Sequence, residues 1–217
     1  MLKELSSSKF LIPAMAILAI LATSAGFYIS LKQAQQSQQA VSTVEGLFWP
    51  NPKQINAYSV LDQDGKDFGL NQMKGKWSFI FFGYSHCPDV CPVTMSVMAD
   101  SYKALVGENK DLQVIFASVD PERDTPEKLS EYVHYFNPDF IGLGGNNEMI
   151  NSLTGQIGVA YYLNKENQTE DYLVDHSASI FLIDPLGRMV GKLSPPHEKN
   201  KIIQQFTQIK NFINEQS

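Results

Sequence analysis

Cys87 and Cys91, set in Cys87-Pro88-Asp89-Val90-Cys91-Pro92, are the whole cysteine complement of the 217-residue chain. One pair cannot build the disulfide framework of a small secreted domain, so the spacing points to chemistry. Two thiolates with adjustable separation either close a disulfide or clamp a soft metal ion. A third reading, two buried cysteines acting as small hydrophobes, sits poorly with prolines after both cysteines, which fix a loop where a core wants regular structure. Proline disfavours helical geometry in the residue before it, so the sequence predicts a helix opening at Pro92 with Cys91 as its N-cap. The positive end of that helix is expected to depress the Cys91 pKa.

Two thiolates make an incomplete metal site, which directs attention to the four histidines. His176 lies in Asp175-His176-Ser177-Ala178, just before an apolar run starting at Ser179, where a sheet-edge loop can face the loop of Cys87. Asp175 is expected to bond one ring nitrogen and orient the other. His86 adjoins Cys87, but neighbours on a strand point to opposite faces, and it ranks lower. His134, mid-helix, and His197, after Pro195-Pro196, read as structural or solvated. Met95 and Met98 share helical spacing with Tyr102 and Leu105 and read as core rather than thioether metal ligands. Asp120-Pro121-Glu122-Arg123-Asp124 alternates its charges and reads as a turn and helix cap rather than an acidic metal site. Asn167-Gln168-Thr169 matches a glycosylation acceptor and carries no weight, and Gly144-Gly145-Asn146 lacks the spacing of a phosphate loop.

The elements that must position these residues alternate. Residues 58–61 and 67–70 flank Asp64-Gly65 as a hairpin, and 77–82 is a continuous apolar run suited to a central strand. A helix is expected over 92–106, a strand over 112–119, then a helix from Thr125-Pro126-Glu127 to about Tyr135, with Thr125 as N-cap and proline at the first position. Residues 140–143 read as a short edge strand, 147–157 as a helix, 179–183 and 188–193 as strands around Asp184-Pro185-Leu186-Gly187, and 198–213 as a closing helix. Parallel crossovers finished by an antiparallel hairpin make an α/β sandwich, whose ligand sits beyond the carboxyl ends of the strands. The cysteine loop follows such an end.

With 43% hydrophobic and 18% charged residues the chain is neither a disordered tail nor a membrane bundle. Its net charge of −6 divides into +2 over the first 32 residues, from Lys3, Lys9 and Lys32 against Glu4, and −8 beyond. Nothing in this balance suits nucleic acid. Between Lys9 and Lys32 lie 22 uncharged residues, which as a helix span about 33 Å, enough to cross a bilayer once. The expected organisation is a cytoplasmic segment 1–9, a transmembrane anchor 10–31, a polar tether 32–43 and a folded domain 44–217. Cleavage of a signal peptide after Ala25 is the competing reading, and both export the domain.

Taken together, Phe82-Gly83-Tyr84-Ser85-His86-Cys87-Pro88-Asp89-Val90-Cys91-Pro92, Ser118-Val119-Asp120-Pro121-Glu122-Arg123-Asp124-Thr125-Pro126 and Asp175-His176-Ser177 resemble the three signature stretches of the Sco/SenC family in order and spacing, over about residues 45 to 215. The resemblance implies a thioredoxin-like three-layer sandwich with a mixed sheet, a membrane anchor, and copper bound by Cys87, Cys91 and His176 in service of the binuclear copper centre of cytochrome c oxidase. It implies as partners the copper-centre subunit of that oxidase, a periplasmic copper donor and a thiol reductant, with the domain on the periplasmic side of a bacterial inner membrane. The donor chemistry agrees: Cu(I) prefers thiolates and accepts few ligands, imidazole also suits Cu(II), and zinc would prefer a fourth donor. The alternative function is a thiol:disulfide oxidoreductase that keeps partner cysteines reduced. Against it, no proline precedes the strand at Ser179, where thioredoxins place one to dock substrates. A peroxidase needs an arginine near its cysteine, and Arg123 and Arg188, the only arginines, are distant from Cys87 in sequence.

Overall fold

The computed structural model describes residues 8–41, 44–165 and 172–216. Lys3, Glu4 and the Asn167-Gln168-Thr169 match lie outside them. Two compact units divide at residues 43 and 44. The first holds helix α1, Ser8–Val41, which runs without a break through the stretch expected as anchor and on into the expected polar tether. Its segment Met15–Gln35 is long and apolar enough to cross a membrane. Lacking Gly and Pro after Gly26, the polar stretch has nothing to stop the helix.

The second unit is an α/β sandwich. In chain order its elements are β1 Lys53–Gln54, β2 Ser59–Asp62, β3 Asp67–Gly69, α2 Leu70–Met73, β4 Trp77–Gly83, α3 Val90–Leu105, β5 Leu112–Ser118, α4 Pro126–Phe136, β6 Ile141–Gly144, α5 Asn147–Ile157, β7 Tyr161–Asn164, β8 Leu173–His176, β9 Ile180–Ile183, β10 Arg188–Leu193 and α6 Lys199–Glu215. The main sheet runs β1-β10-β9-β4-β5-β6-β2-β3, with β4, β5 and β6 parallel and the other pairings antiparallel. Every residue of β4 and β5 is buried, so both faces of the sheet centre are covered. The continuous run Trp77-Ser78-Phe79-Ile80-Phe81-Phe82 anticipates this, because a strand covered on both faces needs no polar alternation. The steps β4 to β5 and β5 to β6 are successive parallel crossovers in one direction, which by the right-handed rule puts α3 and α4 on one face. There α3 meets both α4 and α6.

Two expectations need correction. The strand near Phe140 is not at the edge: β6 is enclosed between β5 and β2, because the β2–β3 hairpin adds outside it. His176 is not in a loop but ends β8, which pairs with β7 in a separate two-stranded sheet. That hairpin alternates intermediate and exposed residues on β7, with no long apolar run to announce it.

Register brings the site together. Gly83 pairs with Ser118, so the loops after β4 and β5 leave the sheet side by side. Antiparallel β9 starts with Ile180 opposite Phe81, so the segment arriving from His176 meets the sheet at the same end.

Candidate metal centre

The cysteine loop opens where β4 stops. Cys87 N–H donates to the Tyr84 carbonyl at 3.2 Å, closing a turn that carries Cys87 back over the sheet end. Helix α3 then begins two residues earlier than expected, at Val90 with Asp89 as N-cap. Pro92 is accommodated because it falls in the first turn, where its missing N–H has no helical partner to lose. The Asp89 side chain makes no capping bond. Instead the Cys87 sulfur accepts from the Cys91 N–H at 3.4 Å. The helix end is thus aimed at Cys87 rather than Cys91.

Cys91 is buried in the core, and both cysteines are free thiols. Burial, followed by the neighbouring Cys87 thiol, pushes the Cys91 pKa up, against the expected depression. The cost of placing a thiolate in an apolar surround exceeds the help of a helix end that points elsewhere. Gly83 makes room for this sulfur. A Cβ there would stand 2.9 Å from Cys91 Sγ and 2.8 Å from the Phe116 ring.

His176 comes to Cys91 from across the fold, with Nε2 3.4 Å from Sγ. Nδ1 stands 3.1 Å from the Ser177 carbonyl oxygen, which only accepts, so Nδ1 carries the proton and Nε2 turns its lone pair to the sulfur. The orienting acceptor is therefore the Ser177 carbonyl and not the Asp175 carboxylate, which is exposed on β8. Tyr84 and Phe81 stand edge-on to the imidazole, each 6.1 Å away between ring centres. Burial holds the His176 pKa below its ordinary value and keeps the ring neutral.

The structure thus brings His176 to Cys91 and Cys91 to Cys87. Among the described residues no three of His, Cys, Asp and Glu are already gathered as a metal cage. Two sulfurs and a neutral imidazole are nevertheless a donor set of the kind that suits a soft cation. Of the other histidines, His86 lies in the turn after β4 with Nδ1 3.0 Å from Ser85 Oγ. His134 meets Ser130 on the exposed face of α4, and the His197 ring donates through Nε2 to the Ala178 carbonyl at 2.7 Å. Met95 and Met98 are core.

Sequence reasoning missed the carboxylates beneath the site. Thr125 does cap α4, accepting from the Lys128 N–H, but Asp120 and Asp124 are buried. Asp124 accepts from the Ser85 N–H at 3.0 Å and from the Ser85 and Ser118 hydroxyls, pinning the cysteine loop to the loop after β5. Asp120 accepts from the Tyr172 hydroxyl at 2.6 Å and from Arg123 Nε. Arg188 pairs with Asp184 at the β9–β10 turn, so both arginines are engaged with carboxylates.

A mixed sheet with helices on its faces, a cysteine pair where β4 gives way to α3, and a histidine delivered from a distant hairpin define a thioredoxin-like α/β fold with a soft-metal donor set. The SCO1/SenC family model matches residues 50–211, and the chain belongs to that family. An SCO2-like protein of Rickettsia prowazekii is 38% identical over 132 residues, 60% of this chain and 64% of that protein, so the match spans just under two thirds of that relative. One from Rickettsia typhi is 33% identical over 175 residues, covering 80% of this chain and 86% of the other. A crystal structure of Arabidopsis thaliana ScoI with copper bound superposes with a TM-score of 0.67 at 34% identity, covering 72% of this chain and 98% of that one. The expected thioredoxin-like Sco fold with its mixed sheet and apolar N-terminal helix is the fold observed.

Proposed function

We propose that this chain is a membrane-anchored copper carrier that takes up one copper ion through Cys87, Cys91 and His176 and delivers it to the binuclear copper centre of cytochrome c oxidase. The observation that carries this reading is the 3.4 Å approach of the His176 Nε2 lone pair to Cys91 Sγ, beside a second sulfur. A neutral imidazole joined to two thiols is a donor set for either copper state, and three donors leave one approach open to an incoming thiolate. Similarity to the copper-bound Arabidopsis structure supports the metal, and the family resemblance supports the oxidase as recipient. Anchoring is assigned to the span Met15–Gln35, with the domain from Val44 exported to the periplasmic side. An exported pair tends to oxidise, and a disulfide is no dithiolate ligand, so loading requires a thiol reductant as well as a copper donor.

The second reading, a thiol:disulfide reductase, is favoured by the unequal burial of the cysteines: Cys87 is half-buried and Cys91 buried. In that reaction Cys87 attacks a partner disulfide, Cys91 resolves the mixed disulfide, and the Cys87–Cys91 pair is oxidised as the partner gains two thiols. One experiment separates the readings. The reduced full chain in detergent is expected to bind one equivalent of copper, and His176→Ala to lose most of that binding while still closing the Cys87–Cys91 disulfide. Copper retention by His176→Ala equal to wild type contradicts the carrier reading.

A further inference from the structure

Among the described residues, His176 rides on an element with no ladder pairing to the main sheet. The β7–β8 hairpin is its own two-stranded sheet, and such a hairpin is marginal alone. What places the imidazole is therefore contact outside the sheet ladder: the Val174 backbone against the Tyr84 hydroxyl, and the side-chain bonds of the loop that follows β5. The loop of residues 119–125 meets this hairpin and the cysteine loop at once. At one end, Asp124 takes the Ser85 amide and hydroxyl, two residues before Cys87. At the other, Asp120 takes the Tyr172 hydroxyl, four residues before His176. Between them the Arg123 guanidinium bonds Asp120 and lies 3.6 Å from the Tyr172 ring centre and 5.5 Å from that of Tyr84, the ring that stands edge-on to His176. The two residues are themselves tied through the backbone, with the Asp124 N–H donating to the Asp120 carbonyl at 3.0 Å, and the Ser118 hydroxyl donates to the Asp124 carboxylate while accepting from the Asp120 N–H.

We propose that the loop 119–125 is a latch that fixes the histidine-bearing hairpin over the cysteine loop, with the Asp120–Tyr172 hydrogen bond as its catch and Tyr172 as a positioning residue for metal uptake. The proposal rests on the copper reading of the same site. Asp120 is fully buried, and a buried carboxylate holds its partners tightly because the alternative is an unsolvated charge. The neighbouring Lys165 to Glu122 ion pair is exposed and adds little. Tyr172→Phe keeps the ring under Arg123 and leaves the Arg123 bond to Asp120 in place. It removes only the catch.

The test loads Cu(II) onto the full chain in detergent as wild type, Tyr172→Phe and His176→Ala. It reads the dissociation constant by chelator competition and the nitrogen hyperfine splitting by electron paramagnetic resonance. Tyr172→Phe is expected to weaken binding by about 2- to 10-fold, the worth of about one net hydrogen bond, with a weakened nitrogen splitting and a cooperative unfolding transition retained. If His176→Ala changes neither quantity, the copper reading itself fails. If His176→Ala loses the splitting while Tyr172→Phe matches wild type in both, the latch is overturned and the copper reading stands. Hydrogen exchange on the metal-free protein supplies a reading independent of copper. Amides of 173–176 that exchange faster in Tyr172→Phe than in wild type support the latch, and equal exchange in the two overturns it.

Discussion

On the copper reading two demands compete at Cys91: the sulfur is to be reachable by a metal, yet it is packed in the core. The structure meets both by leaving its approach to His176 and Cys87, and by using glycine at 83 so that the sulfur fits under the sheet end. Gly83→Ala is therefore expected to destabilise the domain by about 1–3 kcal/mol, the usual cost of overpacking, and to displace the Cys91 sulfur. Denaturant unfolding measures the first effect and loss of copper affinity the second. His197 supplies a pH test. Burial holds its pKa below the ordinary histidine value of 6.5, so the unfolded chain takes up the proton first. The stability tied to its neutral ring is present above that value and is lost as pH falls below it. Wild-type metal-free protein is expected to lose stability between about pH 7.5 and 5.5, and His197→Gln, which keeps a donor for the Ala178 carbonyl, to lose less. Urea unfolding at both pH values checks this. The cysteines and His176 were legible from residue type and resemblance. The acceptor for the imidazole was not, because a backbone carbonyl leaves no trace in residue identity, and the Cys91 pKa was misread because sequence shows a nearby helix end but not where it points.

Among the elements, legibility followed apolar content. β4 announces itself as a nearly continuous apolar run, and α4 shows Thr125 at its start, which accepts a backbone N–H in the first turn, as Asn146 also does for α5. The β7–β8 hairpin did not, since its residues are partly exposed and its pairing is local to itself. The consequence was that His176 looked like a loop residue and the buried Asp120 like part of a turn. What anchors the opposite side of the fold is helix α6, where Phe206 packs edge-on to Trp77 at 5.7 Å and tilted against Phe79 at 5.3 Å. Phe206→Ala is expected to cost about 3–5 kcal/mol, as removal of a buried aromatic does. Thermal unfolding reads that loss. Because these contacts lie at the start of β4 and the cysteines follow its end, copper stoichiometry of the folded variant is expected to stay at the wild-type value.

Over the whole molecule, the apolar helix and the α/β domain divide the labour that the sequence suggests: one unit suited to a bilayer, the other built around a sheet end where three chain segments converge. The convergence follows from register, with the ends of β4 and β5 and the start of β9 all at one end of the sheet. The central claim is that a single copper ion draws its ligands from all of Cys87, Cys91 and His176. X-ray absorption on the Cu(I)-loaded full chain tests it most directly. The account predicts a shell of two sulfurs and one nitrogen in wild type, with the nitrogen lost in His176→Ala. An identical shell in both proteins, or a wild-type shell of sulfur alone, would contradict it.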